Sequence, residues 1–519
     1  CAQTITTADS AATISTKLNT GSSPICMENG DYSAKGVFTI TADGTAGARR
    51  VLRYTRTGDN GDMPWNQSAA NKAKMRGIIL DSANFWIIHR LTIDGDGTSW
   101  PTFNGIEFLE PGNSDNNIVD SVLIEDGVYN MVTIGAGNDD NTIQNSVLRN
   151  CVATAGNDLN AVGLFGGPKR NHIVNNETYD CTKSFHNDET SSGGTIVENN
   201  DMYVTSSTYT NCSGVLNGTG PCSTTEGGIL LKSAGTQVAP VLVIHNRLWG
   251  ARVSDTNICC LGGTDGPLIM LTNQFQIPGS TGGARWTLVQ NNILLDAQLG
   301  VIDFWPDIFN NSIIGNIIFK IKNYRSIIPS YTFSTNYMTS SEWYLNTIID
   351  VNSWFSFGGA TPSDIRCNVM IDSGFGGDFT GPQDQVDFNT FYNSTSFAKP
   401  APGTIVNKSV STRANSTFYT SGDVIKPVSL NNYLYMATST GTSGSSAPIF
   451  PIVLGGTVID SGVVWQAIRG PYVFFRKLQT EPEQVSIPYA RAHSSAPEAN
   501  SCPSGFASRA GMGIDDTQP

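Results

Sequence analysis

Lys232 closes the run Gly227-Gly228-Ile229-Leu230-Leu231-Lys232-Ser233, Arg247 follows about one turn of chain later, and upstream His186-Asn187-Asp188-Glu189 sets two carboxylates side by side. Cations near a carboxylate pair suit one class of reaction. Removing the proton next to a sugar carboxylate needs a base, with cations or calcium to neutralise that carboxylate. On that reading Lys232 and Arg247 are the catalytic groups, and Asp188 and Glu189 offer oxygens to Ca2+. The alternative is plain: Lys232 is a solvated side chain on an outer face, Asp188 and Glu189 form a polar turn, and no cofactor is required. Other chemistry is poorly supplied. Asp139-Asp140 and Asp515-Asp516 are adjacent carboxylates, which in strands point to opposite faces. No nucleotide loop, nucleophile elbow or metalloprotease motif is present, and Gly166-Gly167 and Gly193-Gly194 read as turns.

The elements that must position these residues show in a repeated frame. Short apolar runs end on asparagine: Ile173-Val174-Asn175-Asn176, Ile196-Val197-Glu198-Asn199, Val243-Ile244-His245-Asn246, Met270-Leu271-Thr272-Asn273, Leu288-Val289-Gln290-Asn291, Ile313-Ile314-Gly315-Asn316 and Ile365-Arg366-Cys367-Asn368. Successive asparagines are spaced by roughly one or two units of 25 residues, a loose repeat. A strand of a few residues ends, asparagine takes a left-handed or bridge conformation that branched residues resist, and a second strand leaves in a new direction. Stacked coil on coil, Asn176, Asn199, Asn246, Asn273, Asn291, Asn316 and Asn368 are expected to form a side-chain ladder over rows of buried apolar residues. Ser121 and Ser146 extend the frame toward the N-terminus. An ordinary β-sandwich has no reason to repeat asparagine at this period.

Composition agrees. The 519 residues include 31 basic and 44 acidic side chains, a net charge of −13, and only 14% are charged, against roughly 25% in an ordinary soluble domain. Nucleic acid is an unsuited partner for so acidic a chain, and a polyuronate needs a locally basic groove. No apolar run is long enough for a transmembrane helix. Ten cysteines in a chain beginning at Cys1 read as a mature exported protein in an oxidising compartment, after removal of a signal peptide. Cys1 pairs with Cys26 or carries a lipid. Cys151–Cys181 and Cys212–Cys222 are further candidate bridges, and Cys259 and Cys260 form a vicinal bridge or two separate ones. Cys367 and Cys502 complete the set. Eight Asn-x-Ser/Thr sequons, at Asn66, Asn176, Asn211, Asn217, Asn310, Asn393, Asn407 and Asn415, are about what chance gives. Trp249, Trp286, Trp305, Trp343 and Trp354 are sugar-stacking platforms if they point outward, and core if inward.

From about residue 20 to 375 the frame resembles the right-handed parallel β-helix superfamily of pectate lyases, related polysaccharide-degrading enzymes and phage tailspikes. The resemblance implies an all-β fold: a cap over 1–20 with a short helix through Ile14 and Leu18, and a right-handed parallel β-helix with an asparagine ladder over 21–375. The window ending at Lys232 looks like a lyase strand presenting its catalytic lysine, but the family's calcium-binding aspartates are not reproduced beyond Asp188 and Glu189. Residues 376–418 read as a linker or extra strands. A small β domain at 419–475, with Tyr433-Leu434-Tyr435-Met436 and Val463-Val464-Trp465, resembles modules appended to phage tail and secreted glycan-handling proteins. An extended arm, 476–519, closes the chain.

In that arm Val485, Ile487 and Tyr489 alternate as an edge strand does, and are expected to add to a neighbouring copy. A head-to-tail contact of this kind does not close. The expectation is therefore a non-catalytic subunit of an extracellular filament or surface appendage whose partners are copies of itself. The alternatives are a secreted or tailspike-type polysaccharide lyase acting on an acidic glycan, and a glycan-binding adhesin whose partner is an extracellular polysaccharide.

Overall fold

The computed structural model describes residues 1–55, 62–95, 104–127, 130–151, 160–181, 183–187, 192–203, 227–232, 235–249, 267–272, 284–297, 299–304 and 308–321, strands lying between 338 and 408, and then 411–421, 423–428, 433–453, 455–469, 472–475 and 483–486. The chain divides into two compact units, for the most part Cys1–Thr287 with Ala297–Ile308, and Leu288–Asp296 with Phe309–Arg476.

In the first unit three parallel sheets are visited in rotation. Trp86–His89 lies in the first sheet, Thr92–Asp94 in the second and Ile106–Phe108 in the third, and Ile118–Asp120 returns to the first beside Trp86–His89. Parallel crossovers of this kind turn right-handed, and the outcome is a right-handed parallel β-helix. The strands are short because each side of the coil needs only one or two inward residues. Ile78 and Leu80 are buried and Ile79 between them is half-exposed, the alternation of a strand with one face on a core. Register stacks like on like: Leu52, Ile88, Val119, Ile143, Ile173, Val197 and Val243 form one buried row along the first sheet. Each such side chain contributes about 1.5–3 kcal/mol by leaving water.

Between the first and second sheets the backbone turns a corner, and the asparagines act there. Asn176 N–H and Nδ2 donate to Asn200 Oδ1 at 2.9 and 3.0 Å, and Asn200 N–H and Nδ2 donate to Asn246 Oδ1 at 3.0 and 2.9 Å. Each Nδ2 also reaches back to a carbonyl: Asn176 to Ile143 O, Asn200 to Ile173 O, Asn246 to Val197 O, all at 2.8 Å. Ser146 N–H starts the run on Asn176 Oδ1 at 3.0 Å. The second unit has its own run, Asn292 to Asn316 to Asn346.

Here the expected frame needs a correction of phase. Asn176, Asn246 and Asn316 are ladder residues, but Asn199 and Asn291 are not. Their φ angles are 54° and 55°, and the amide in the ladder belongs to the next residue, Asn200 or Asn292. Two tasks that the sequence reading gave to one residue are split between two. The first residue of the corner takes the left-handed turn, as Asn175, His245 and Gly315 also do, and the second turns its amide inward. Asn273 and Asn368 lie outside the described residues. A further corner, from the third sheet into the first, carries Asn117, Asn141 and Asn171, joined N–H to Oδ1 at 2.9 Å each.

A helix, Ala11–Thr20, packs across the first coil. Ser10 Oγ caps it by accepting from Thr13 N–H at 3.1 Å, and Ile14 and Leu18, one turn apart, are its buried residues. Cys1 is bonded to Cys26 on an adjacent strand, and Cys151 to Cys181, which stand opposite each other in the second sheet. Cys212, Cys222, Cys259, Cys260, Cys367 and Cys502 lie outside the described residues.

In the second unit the coil strands run past residue 375. Ile365 stands opposite Val386, Met370 opposite Phe391, and Thr390–Tyr392 pairs with Ile405–Lys408. The segment read as a linker or extra strands thus holds a further coil, and Val386 does stand three residues before Asn389. The small domain follows as a five-stranded sheet of Ser411–Thr412, Val424–Lys426, Tyr433–Ala437, Val463–Arg469 and Thr457–Asp460. Tyr419, Ile425, Tyr435 and Trp465 fill its core. Within it Arg413 Nε donates to Asp460 Oδ2 at 2.7 Å, both side chains almost wholly buried, and Trp465 Nε1 donates to the same carboxylate at 3.0 Å. Burial opposes the Asp460 charge, but Arg413, Trp465 and the Gly444 N–H outweigh it and hold the carboxyl below its usual range. In the arm, Glu483–Ser486 pairs antiparallel with Tyr472–Phe475, Val485 opposite Val473, so one edge of the expected free strand is used within the chain. Ile487 and Tyr489 lie outside the described residues.

The division of roles at the corner is testable by urea denaturation. Replacing Asn200 with alanine strands the Asn176 donors and the Ile173 carbonyl in a dry corner, and at about 1–3 kcal/mol per unsatisfied group should lower stability by about 3 kcal/mol. Asn199→Gly keeps the left-handed turn and should change stability by less than about 1 kcal/mol. Equal losses from the two would contradict the assignment.

Candidate functional site

Of the sequence candidates, Lys232 follows a strand of the third sheet. Asn160–Leu164, Lys183–Asn187 and Gly227–Leu231 are neighbours, with Gly163 opposite His186 and His186 opposite Leu230. Lys232 N–H donates to Asn187 O at 2.8 Å, which ties Lys232, just past its own strand, to the end of the neighbouring one. Asp188 and Glu189 themselves lie outside the described residues. Lys232 is half-buried.

The middle strand carries a run of which the sequence reading names His186 and Asn187 only as neighbours of Asp188 and Glu189, and passes over Lys183 and Ser184. Lys183, Ser184, His186 and Asn187 are all buried around Phe185, with His186 only 2% exposed. Four polar residues about a lone Phe in one strand was the available signal. Phe165 meets the His186 ring edge-on, 5.7 Å between centroids. Gly163 allows this, because a Cβ there would come within 2.4 Å of the Phe165 ring. Burial pushes the His186 imidazole well below its ordinary pKa, and the charges of Lys183 and Lys232 push the same way. The ring is therefore held neutral, with one nitrogen a hydrogen-bond acceptor. Asn187 Nδ2 donates to Ser192 Oγ in the same region. The strands thus set a buried, neutral imidazole near the charges of the buried Lys183 and of the half-buried Lys232, and of the three it is Lys232 that solvent reaches.

Arg247 is not part of this group. It stands in the second sheet, opposite Asp201, and forks onto that carboxylate with Nε–Oδ1 at 2.6 Å and Nη2–Oδ2 at 3.0 Å. It belongs to a line of side chains that runs along the outer face of the second sheet. Arg149 Nε donates to Glu125 at 3.0 Å and its Nη1 to Tyr179 Oη at 3.1 Å. Tyr179 stacks on Tyr203 at 4.9 Å, and Tyr203 on Trp249 at 4.3 Å, planes within 10° in each case. Tyr203 Oη donates to the buried Glu177 carboxylate, and burial first, then that charge, raises the phenol pKa. Trp249 therefore has a face occupied by Tyr203. Trp343 is a core residue, opposite Ile313. Among the described residues no group of three or more His, Cys, Asp or Glu is placed to hold a metal ion.

The buried imidazole gives a pH signature. Above the ordinary value of 6.5 the ring is neutral both folded and unfolded, so it leaves stability unchanged. As pH falls below 6.5 the unfolded chain takes up a proton that the folded one refuses, and stability drops until the depressed folded pKa is reached. Comparing denaturation midpoints at pH 7.5 and pH 5 for the native chain and His186→Phe should show a smaller acid loss in the variant. An identical loss would mean that His186 is not held neutral.

No protein-family model matches the chain, and no curated protein matches its sequence. Solved structures do resemble it. A mannuronic acid specific polysaccharide family 6 lyase from human gut microbiota has 12% identity, with 78% of this chain and 91% of that one covered at a TM-score of 0.47. An alginate lyase from Paenibacillus has 13% identity, covering 74% and 98% at 0.37. A surface adhesin of Streptococcus pneumoniae has 11% identity, covering 80% and 90% at 0.33. The fold is set by this chain's own sheets, strand over strand in parallel register with asparagine at the corners: it is a right-handed parallel β-helix protein.

Proposed function

We propose that this chain is an extracellular, glycan-handling β-helix protein, and that an acidic polysaccharide meets it at the end of the third sheet, around Lys232. The observation behind this reading is the half-buried Lys232 at the end of Gly227–Leu231, beside the strand that carries the buried Lys183 and the neutral His186. In a chain of net charge −13 a polyanion needs such a local concentration of positive charge. Disulfides that close coil on coil fit an oxidising, external compartment. No helix among the described residues is long and apolar enough to cross a membrane. Binding without cleavage is the reading we favour, since Arg247, the second cation of a lyase mechanism, is committed to Asp201 in another sheet. Polyguluronate, polymannuronate, pectate and glucuronan form the test panel. One of them should bind, Lys232→Arg should bind it comparably, and Lys232→Glu should weaken it at least about tenfold, near 1.4 kcal/mol. Equal affinities for the two variants would remove the site. An ultraviolet-absorbing unsaturated product that disappears in Lys232→Ala would turn the reading into a β-eliminating lyase that works without Arg247.

A second reading, a filament subunit, is favoured by the terminal hairpin. Among the described residues Tyr472–Phe475 and Glu483–Ser486 form a sheet of two strands, and such a pair is marginally stable alone in water and gains from a further strand or surface. Electron microscopy of concentrated protein should then show fibres that vanish on deletion of residues 480–519. Single particles at every concentration would exclude it.

A further inference from the structure

Beyond the glycan reading, the small C-terminal domain presents a bare sheet edge. Thr457–Asp460 is the last strand of its sheet and among the described residues pairs on one side only, with Val463–Arg469. Ile459 in that strand is 72% exposed. The turn before it is fastened to the same partner strand: Gly455 N–H donates to Ala467 O at 2.9 Å, and Ala467 N–H to Gly456 O at 2.7 Å. This turn carries Ile452 and Val453, 64% and 67% exposed, and the approach to it carries Ile449, 95% exposed. Phe450, between them, packs instead on Tyr435, 4.3 Å between ring centroids.

Edge strands are ordinarily guarded by lysine, proline, a bulge or a covering element. Thr457-Val458-Ile459 contains none of the guarding residues, and the strand's one charge, Asp460, is turned inward onto Arg413. From Ala447 to Ile459 there is no charged residue at all.

We propose that this edge is a self-association surface, and that its occupant is a second copy of this chain, paired antiparallel across a two-fold axis along Thr457–Asp460. Charge permits that occupant. Two chains of net charge −13 repel, and a neutral segment is where they can approach at least cost. Area is adequate as well: the exposed aliphatic side chains offer on the order of 100 Å² each, so that four of them supply about half of the roughly 800 Å² per partner of a standard interface, and the paired backbones add to it. An antiparallel edge contact is self-complementary and closes at two copies. It therefore gives dimers, whereas a head-to-tail hairpin contact gives fibres.

Sedimentation velocity on the full chain over a concentration series tests this. A reversible monomer–dimer equilibrium is expected. Ile459→Lys should raise the dissociation constant at least about tenfold, by burying like charges across the two-fold, with an unchanged melting temperature because the residue is exposed. Mixing Ile459→Lys with Ile459→Glu should restore the dimer, which a merely disturbed fold would not do. A monomer at all concentrations up to about 100 µM, an affinity weaker than about 5.5 kcal/mol, or a dimer indifferent to Ile459→Lys, overturns the proposal.

Discussion

The structure depends on one hydrogen-bonded unit, the inward asparagine amide at a coil corner. A chain that changes direction about three times per coil exposes backbone N–H and C=O groups at each bend, and these bends border a dry core of stacked Ile, Leu and Val. Unpaired, such groups would cost more than the apolar rows return. Asparagine resolves this because its side chain carries both an acceptor and a donor on a short stem. Asn200 accepts from the coil before it, donates to a carbonyl of that side of the corner, and hands its own N–H to Asn246. Each rung thereby fixes the height of the next, and the parallel register of the sheets follows.

The outer faces solve a different problem with similar means. In a chain with few charges, outward charges of the second sheet are set against one another between coils: Lys74 with Asp94, Arg149 with Glu125, Arg247 with Asp201. Individually such pairs contribute little where solvent reaches them. Their regular placing matters more, since it favours one stacking order over a slipped one. Tyr179, Tyr203 and Trp249 continue the same line with ring stacking in place of charge.

How far this was legible follows from what each feature needs. The fold showed because apolar residues and asparagine recur at a fixed offset, and period survives without knowledge of neighbours. The ladder phase did not show in Glu198-Asn199-Asn200 or Gln290-Asn291-Asn292, where two adjacent asparagines are equally eligible. Only the backbone decides which takes φ near +55° and which faces inward. The Asn117–Asn141–Asn171 corner was passed over because its asparagines precede the apolar residue instead of following it. Lys232 was readable as a residue of interest, but its company was not. The register that brings Lys183 and His186 to it, and sends Arg247 to another sheet, is a property of how coils align.

The ladder spans unequal lengths of chain with equal geometry. Asn176 and Asn200 are 24 residues apart, Asn200 and Asn246 are 46 apart, and the amide contacts are 2.9–3.0 Å in both cases. The rung is the same whichever length of chain separates its two asparagines. The scaffold is thus modular in the sense that protein engineers use: its corners keep one geometry over different lengths of intervening chain, so a segment between two rungs can be lengthened or exchanged while the frame stays.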